Sequence, residues 1–431
     1  MEIHSPTICA YPFAHNMIQP NGDIVSCCAI LGRMTDDQQQ VYNVNTHNIS
    51  DFWNSQEQKQ LRLDLINGKE PECCNSCWKL ENKDHTKGNS VRKNANDRIP
   101  LSRVQDRIQY AAENNGELNV DWIDMQISTG NLCNLACKMC GPDNSIQYSE
   151  FFLDRNITTK QQIKFSKTSI GVLNGGEFGD LYDWPVKRPL ATILKDHYSS
   201  LETVWLTGGE PTIIKENIDF LEDLVTTGHS QHILAFINTN CTNVNKRLLD
   251  ILGNFDQVMF NLSIDAIDDI AYIQRTPSRW PYIQKNIDSI FDWLAEKNNP
   301  RNSVNFNTVI TNLNFHQVPE VWQHLITRYS PYKNVYLGFG FTPVVKLEEN
   351  FGIESVPEYM RDQVQQQLDA LKILPPVVEN QRLRSAITDL EYHLNTINFS
   401  KDNENIHFML DRLQEVHPEL NIKEIYSIYY R

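Results

Sequence analysis

The chain has 431 residues and a formal net charge of −15, with 39 Lys and Arg against 54 Asp and Glu. That length supports two or three domains with a substantial core, and an acidic balance without basic runs argues against a nucleic-acid partner. No apolar run reaches membrane-span length, and the opening MEIHSPTICAYPF lacks a charged-then-apolar signal pattern.

Residues 1–85 are cysteine-rich, with short strands and a helix expected over 50–66. Cys9 is followed by Gly22 and the doublet Cys27-Cys28, then by SDFWN and by ECCNSCW, which holds Cys73, Cys74 and Cys77. Ten cysteines grouped this way, in a large chain without a signal pattern, point to metal ligation in a reducing cytoplasm before disulfides. Residues 86–120 read as a polar linker with one helix.

From 121 to 345, apolar runs alternate with helix-period segments, the pattern of βα units around a parallel sheet. Strands are expected at 122–129, 203–207, 233–239, 257–265, 303–311 and 334–342. Their Val, Ile, Phe and Leu content suits parallel strands buried on both faces. Helices are expected at about 139–152, 215–227, 244–253, 280–297 and 316–329. Six such units fall short of the eight in a full barrel. Residues 346–431 read as helical and carry no evident reactive motif.

The first strand runs into NLCNLACKMCGP, which sets Cys133, Cys137 and Cys140 at CxxxCxxC spacing. A 4Fe–4S cubane has four irons, so a loop supplying three thiolates leaves one iron open to another ligand. Zinc sites more often show paired CxxC or Cys/His sets, and the next cysteine here is Cys241.

The second strand ends in Thr207-Gly208-Gly209-Glu210-Pro211, where glycines admit close backbone approach and a carboxylate can hold an ammonium group. A second copy, Gly175-Gly176-Glu177, lies in a loop-like run and reads as a turn. The third strand closes on Asn238-Thr239-Asn240 and the fourth on Asn261-Leu262-Ser263-Ile264-Asp265. Such polar strand ends are binding groups or helix caps, and Asp265 can be read either way. Cys241 is a buried small residue or a hydrogen donor at the strand ends. The loop Asp180-Leu181-Tyr182-Asp183-Trp184 packs at the surface or shapes a pocket.

Together these motifs resemble the radical S-adenosylmethionine (radical SAM) superfamily. The resemblance covers roughly residues 1–80 and 122–345. It implies an α/β fold: a partial (β/α)6 TIM-like barrel over 121–345, preceded by a small cysteine-rich domain and followed by a helical region. It implies a SAM-binding 4Fe–4S cluster on Cys133, Cys137 and Cys140, with the methionine amino and carboxylate groups on the open iron. Gly208, Gly209 and Glu210 match the motif that holds the methionine amino group. Ser263, Asp265 and Arg275 match the stretch whose Ser and Arg contact the carboxylate, and Asn240 and Val309 are candidate ribose or methionine and adenine contacts.

The N-terminal segment is similar to the auxiliary-cluster module of SPASM and twitch proteins, with cysteines enough for one cluster. There Cys9, Cys27, Cys74 and Cys77 would close a second 4Fe–4S cluster, with Cys28 and Cys73 as competing ligands and a zinc knuckle as the alternative. The usual order places this module after the barrel, whereas here it comes first.

The resemblance implies reductive cleavage of SAM to a 5′-deoxyadenosyl radical and hydrogen abstraction from a substrate, with flavodoxin or ferredoxin as reducing partner. The preferred substrate is a peptide or protein side chain, with a small polyol, sugar or nucleoside as the alternative. The rival class is a non-catalytic iron–sulfur or zinc scaffold.

Overall fold

The structure, a computed structural model, describes residues 5–83, 90–141, 143–148, 182–344, 352–397, 399–400 and 404–430. It is α/β, with mostly parallel strands and intervening helices. In chain order the strands are β1 (His15–Ile18), β2 (Ile24–Val25), β3 (Asp124–Ser128), β4 (Ala136–Cys137) and β5 (Thr203–Thr207). They continue with β6 (Leu234–Thr239), β7 (Gln257–Ser263), β8 (Arg275–Thr276), β9 (Ser303–Ile310) and β10 (Tyr336–Pro343).

The helices that bear on the site are α1 (Ile49–Trp53), α2 (Gln56–Ile66), α3 (Asn75–Lys83), α4 (Val91–Arg98) and α5 (Lys215–Thr226). Further along come α6 (Asp268–Gln274), α7 (Trp280–Lys297), α8 (Val318–Tyr329) and α9 (Glu404–Val416). All six strands expected between 121 and 345 form, to within two residues at each end. The single helix expected over 50–66 is instead two. Ser55 accepts the Gln58 N–H and so starts α2 afresh after α1.

Two compact units divide the chain: Met1–Leu132 with Gly176–Phe236 and Asn254–Asp256, and Cys133–Gly175 with Ile237–Gly253 and Gln257–Arg431. In the first unit β1 pairs antiparallel with β2 and parallel with β3, His15 opposite Asp124. β3 in turn pairs in parallel with β5, Asp124 opposite Thr203. The N-terminal cysteine segment therefore contributes a strand beside β3, a pairing that a linear reading of residues 1–85 did not anticipate.

Helix α4, from the region read as linker, fastens that segment. Arg92 donates to the carbonyls of Pro6 (2.9 Å) and Ile8 (3.0 Å), pairs with Glu81 and lies over the Trp78 ring. Arg98 bonds Asp124 and the Tyr11 hydroxyl, while His15 bonds the same carboxylate and stacks on Tyr11 at 4.2 Å.

In the second unit β7, β9 and β10 pair in parallel, Met259 opposite Ser303 and Ser303 opposite Tyr336. The burial of β7 and β9 alternates, which corrects the expectation of strands buried on both faces. One face meets helices: Phe260 packs against Trp293 of α7, and Phe306 against Phe291 of α7 and Tyr329 of α8.

The C-terminal segment packs by its aromatic residues. His316 lies within ring contact of Tyr426 and Tyr429, and burial pulls its imidazole pKa down to about 4. An unfolded chain takes up that proton near pH 6.5, whereas the folded one resists it. Stability is therefore expected to fall by about 3 kcal/mol between pH 6.5 and pH 4, and to be unaffected by this group above pH 6.5. Urea unfolding of wild type and His316→Phe at pH 7 and pH 4.5 checks this; equal pH dependence in the two would remove the assignment.

Candidate active site

The cysteine loop begins the second unit. Cys133 and Cys137 are buried, and Leu135 packs with them in one cluster against which Met139 and Cys140 lie. Two-residue β4 pairs antiparallel with β8, which sets Cys137 directly opposite Arg275. The Lys138 N–H donates to the Gln274 carbonyl (2.9 Å) and the Cys140 N–H to the Cys137 carbonyl (3.1 Å). Backbone bonds thus fix the loop to a segment about 140 residues away in sequence.

Arg275 joins the loop to the strand ends. Its Nη1 donates to Cys137 Sγ (3.7 Å) and its Nε to Asp265 Oδ2 (2.6 Å). The other oxygen of Asp265 accepts the Val309 N–H (2.8 Å), and the Asp265 carbonyl accepts from Asn314 (2.8 Å). Asp265 is thus not a helix cap: α6 starts at Asp268 with no side-chain cap. Burial lowers the Arg275 pKa, but the charges of Asp265 and then Cys137 outweigh it and hold the guanidinium protonated.

Hydrogen bonding with Cys140 and then burial raise the Cys137 thiol pKa, while Cys140, whose sulfur receives that bond, is lowered. Asn240 Nδ2 reaches Cys133 Sγ (3.8 Å) and Asn134 Oδ1 (3.1 Å). One connected set of side chains therefore contains Cys133, Cys137, Cys140, Asn240, Asp265, Arg275 and the Val309 backbone.

Ser263 ends β7 opposite Asn307. Cys241 is fully buried with φ +62, its N–H donating to Thr239 Oγ1 and its carbonyl accepting from Asn286 of α7. That is the setting of an enclosed small residue. Among residues the sequence did not flag, His417, just beyond α9, comes within 3.5 Å of Lys138 Nζ inside the cysteine loop.

In the first unit, the glycines of the β5 turn are required by their surroundings. Gly208 has φ +76, and a Cβ there would lie 2.5 Å from Ser128 Cβ. Gly209 has φ +55, and a Cβ would lie 2.4 Å from the carbonyl of Leu132, the residue preceding Cys133. Left-handed backbone and a blocked Cβ position together leave only glycine. Glu210 is buried, accepts from Thr212 Oγ1 (2.6 Å) and donates its N–H to Leu132 O (2.9 Å). Asn217 of α5, unnoticed in the sequence, braces the turn by bonding Thr129 and the Pro211 carbonyl. Gly175-Gly176-Glu177, Asp180 and Leu181 lie outside the described residues; Trp184 is buried and bonds the Pro20 carbonyl.

The N-terminal cysteines influence one another. Burial pushes the Cys9 thiol up to about 12, with Cys77 adding to the rise. Burial raises Cys27 most, then the charges of Cys9, Cys28 and Cys77. Cys74 is raised by its bond with Cys73, by burial, and by Cys27 and Cys9. Cys73 is lowered by the bond with Cys74 and feels Glu57 and Asp64 rather than the other thiols. Cys74 is therefore the member of its doublet that shares an environment with Cys9 and Cys27. Among the described residues, no three of His, Cys, Asp or Glu are grouped as a single metal ion requires.

Cysteines gathered in two sets suit iron–sulfur centres, whose charge deprotonates the thiols that bind them. A family model described as the Radical SAM superfamily matches residues 127–325, and an SPASM iron–sulfur cluster-binding domain model matches 9–78. Residues 127–325 thus form a radical SAM domain, and residues 9–78 an SPASM-type iron–sulfur domain ahead of it. The chain's cofactors are S-adenosylmethionine, a SAM-binding 4Fe–4S cluster and an auxiliary cluster.

No curated protein matches the chain. Solved structures similar to it include anSMEcpe with bound AdoMet and Cp18Cys peptide, at 15% identity over 57% of this chain and 59% of that one, with a TM-score of 0.36. Streptococcus suis SuiB bound to S-adenosylmethionine is 16% identical over 85% of this chain and 69% of that one, with a TM-score of 0.34. The match thus spans about three-fifths of the length of anSMEcpe. Among the described residues, no helix is long and apolar enough to cross a membrane.

Proposed function

We propose that the enzyme uses SAM to abstract hydrogen from a peptide or protein side chain, in the cytoplasm, with flavodoxin or ferredoxin as electron donor. Cys133, Cys137 and Cys140 would hold the SAM-binding cluster, and Cys9, Cys27, Cys74 and Cys77 the auxiliary one. When bound, cluster and SAM supply reductive sulfonium cleavage and a 5′-deoxyadenosyl radical. The observation that carries the reading is the buried cysteine loop whose sulfurs accept from Arg275 and Asn240.

In the second unit, Arg275 and Ser263 would bind the methionine carboxylate. Asp265 positions Arg275, with one oxygen on the guanidinium and the other on the N–H of Val309, a residue that would contact adenine. Asn240 holds the loop and would contact the ribose or the methionine. In the first unit, Glu210 would take the methionine ammonium beside the glycines Gly208 and Gly209.

Anaerobically reconstituted protein is expected to carry about two clusters and, with dithionite, to convert SAM to 5′-deoxyadenosine. Absence of that conversion from fully loaded protein would remove the enzymatic reading. Replacing Cys9 and Cys77 by alanine is expected to lower iron content by roughly half, one cluster of two. Unchanged iron in that variant would reassign the N-terminal thiols.

A further inference from the structure

The strands β7, β9 and β10 of the second unit have two unlike faces. Phe306 and Phe339 face the helices, with Phe339 and Phe341 against Trp322 of α8. The opposite face carries a run of asparagine, serine and glycine. Register sets Asn261, Asn305 and Gly338 in one row and Ser263, Asn307 and Gly340 in the next. All six are half-buried, and none of the three strands contains an Asp, Glu, Lys or Arg.

Asn305 Nδ2 donates to Asn261 Oδ1 (2.6 Å). A Cβ on Gly338 would lie 2.9 Å from Asn305 Oδ1, and one on Gly340 would lie 3.3 Å from Asn307 Oδ1. The glycines therefore make room for the carboxamide oxygens. A carboxamide offers two N–H donors and an acceptor oxygen. Among the described residues, the Asn261–Asn305 bond uses one donor and one acceptor of the three carboxamides. The rest of that capacity faces away from the helices.

The half-buried donors and acceptors of the strip are open to a ligand that offers both. The strip is also continuous with the cysteine site. Two residues beyond Ser263 is Asp265, and two beyond Asn307 is Val309, whose N–H bonds Asp265; Asp265 in turn bonds Arg275, which reaches Cys137.

We propose that this strip is the substrate-binding surface, and that it takes a neutral amide of a peptide segment in preference to a charged group or a polyol. A planar amide matches carboxamides in both donor and acceptor and lies flat on the backbone of Gly338 and Gly340. The strip supplies no charge to compensate an ion. The proposal rests on the reading of the chain as a SAM-cleaving enzyme, and names its substrate class.

The test is a titration of the full chain, isotope-labelled in its asparagine side chains, with N-acetylglycine N-methylamide, erythritol and sodium acetate in turn. Saturable shifts of the Asn261, Asn305 and Asn307 carboxamide resonances are expected with the diamide. Asn307→Leu is expected to weaken diamide binding about tenfold, as is Gly338→Ala, which displaces the Asn305 carboxamide. Thermal melting verifies that both variants fold. Equal or larger shifts with erythritol or acetate, or no shift with the diamide, overturn the proposal. SAM cleavage assayed on the same sample separates the two readings: cleavage without diamide binding sinks only the strip, and diamide binding without cleavage sinks only the enzyme.

Discussion

Alanine at Cys133, Cys137 or Cys140 is expected to abolish dithionite-driven conversion of SAM to 5′-deoxyadenosine and to remove about one cluster per chain. The three thiols lie in a loop held by the Lys138 N–H on the Gln274 carbonyl and the Cys140 N–H on the Cys137 carbonyl. Cys133 and Cys137 are 8% and 3% exposed, which leaves little access for a substituting water. Removing Cys137 also strips the acceptor from Arg275 Nη1, a further cost of about 1–3 kcal/mol for a donor left unmet. Iron analysis, the reduced-cluster spin spectrum and chromatography of the nucleoside product read the outcome. Wild-type turnover in any of the three variants would end the assignment of that residue.

Asp265→Ala is expected to be the most damaging single change outside the cysteines. The Asp265 side chain is fully buried and that of Arg275 only 14% exposed, so deleting the carboxylate leaves a guanidinium uncompensated in the interior. Breaking such a pair costs about 3–5 kcal/mol. The Val309 N–H loses its acceptor as well. Asp265→Asn keeps an oxygen for Val309 but not the charge, and is expected to fall between wild type and alanine. Combining Asp265→Ala with Arg275→Met is expected to cost less than the sum of the single changes, because the stranded charge disappears. Chemical denaturation measures all four, and wild-type stability in Asp265→Ala would show that the pair carries no load.

What could be read from the sequence was what lies close together along the chain. The CxxxCxxC loop, the Gly208-Gly209-Glu210 turn and the strand runs are each written within a dozen residues or fewer, where spacing and side-chain type fix local geometry. The β7 and β9 alternation was legible too, since QVMFNLS and SVNFNTVI change polarity at period two. Counting their apolar residues instead of their order hid it. Arg92 and Arg98 were invisible as organisers because charged residues in a polar stretch look like a solvated linker until their partners are known.

The amino-acid order by itself determined the chemistry available: three thiols at a spacing that leaves an iron open, a second cysteine set, and a glycine turn bearing a carboxylate. Tertiary structure alone decided which residues meet. It paired β1 with β3 across about 110 positions, set Arg275 opposite Cys137, and gave Asp265 to Arg275 rather than to a helix end. The division has a physical reason. Local motifs are selected by backbone geometry and side-chain type over one or two turns of chain, whereas strand register and buried ion pairs follow from closing long loops, and no single stretch of sequence records them.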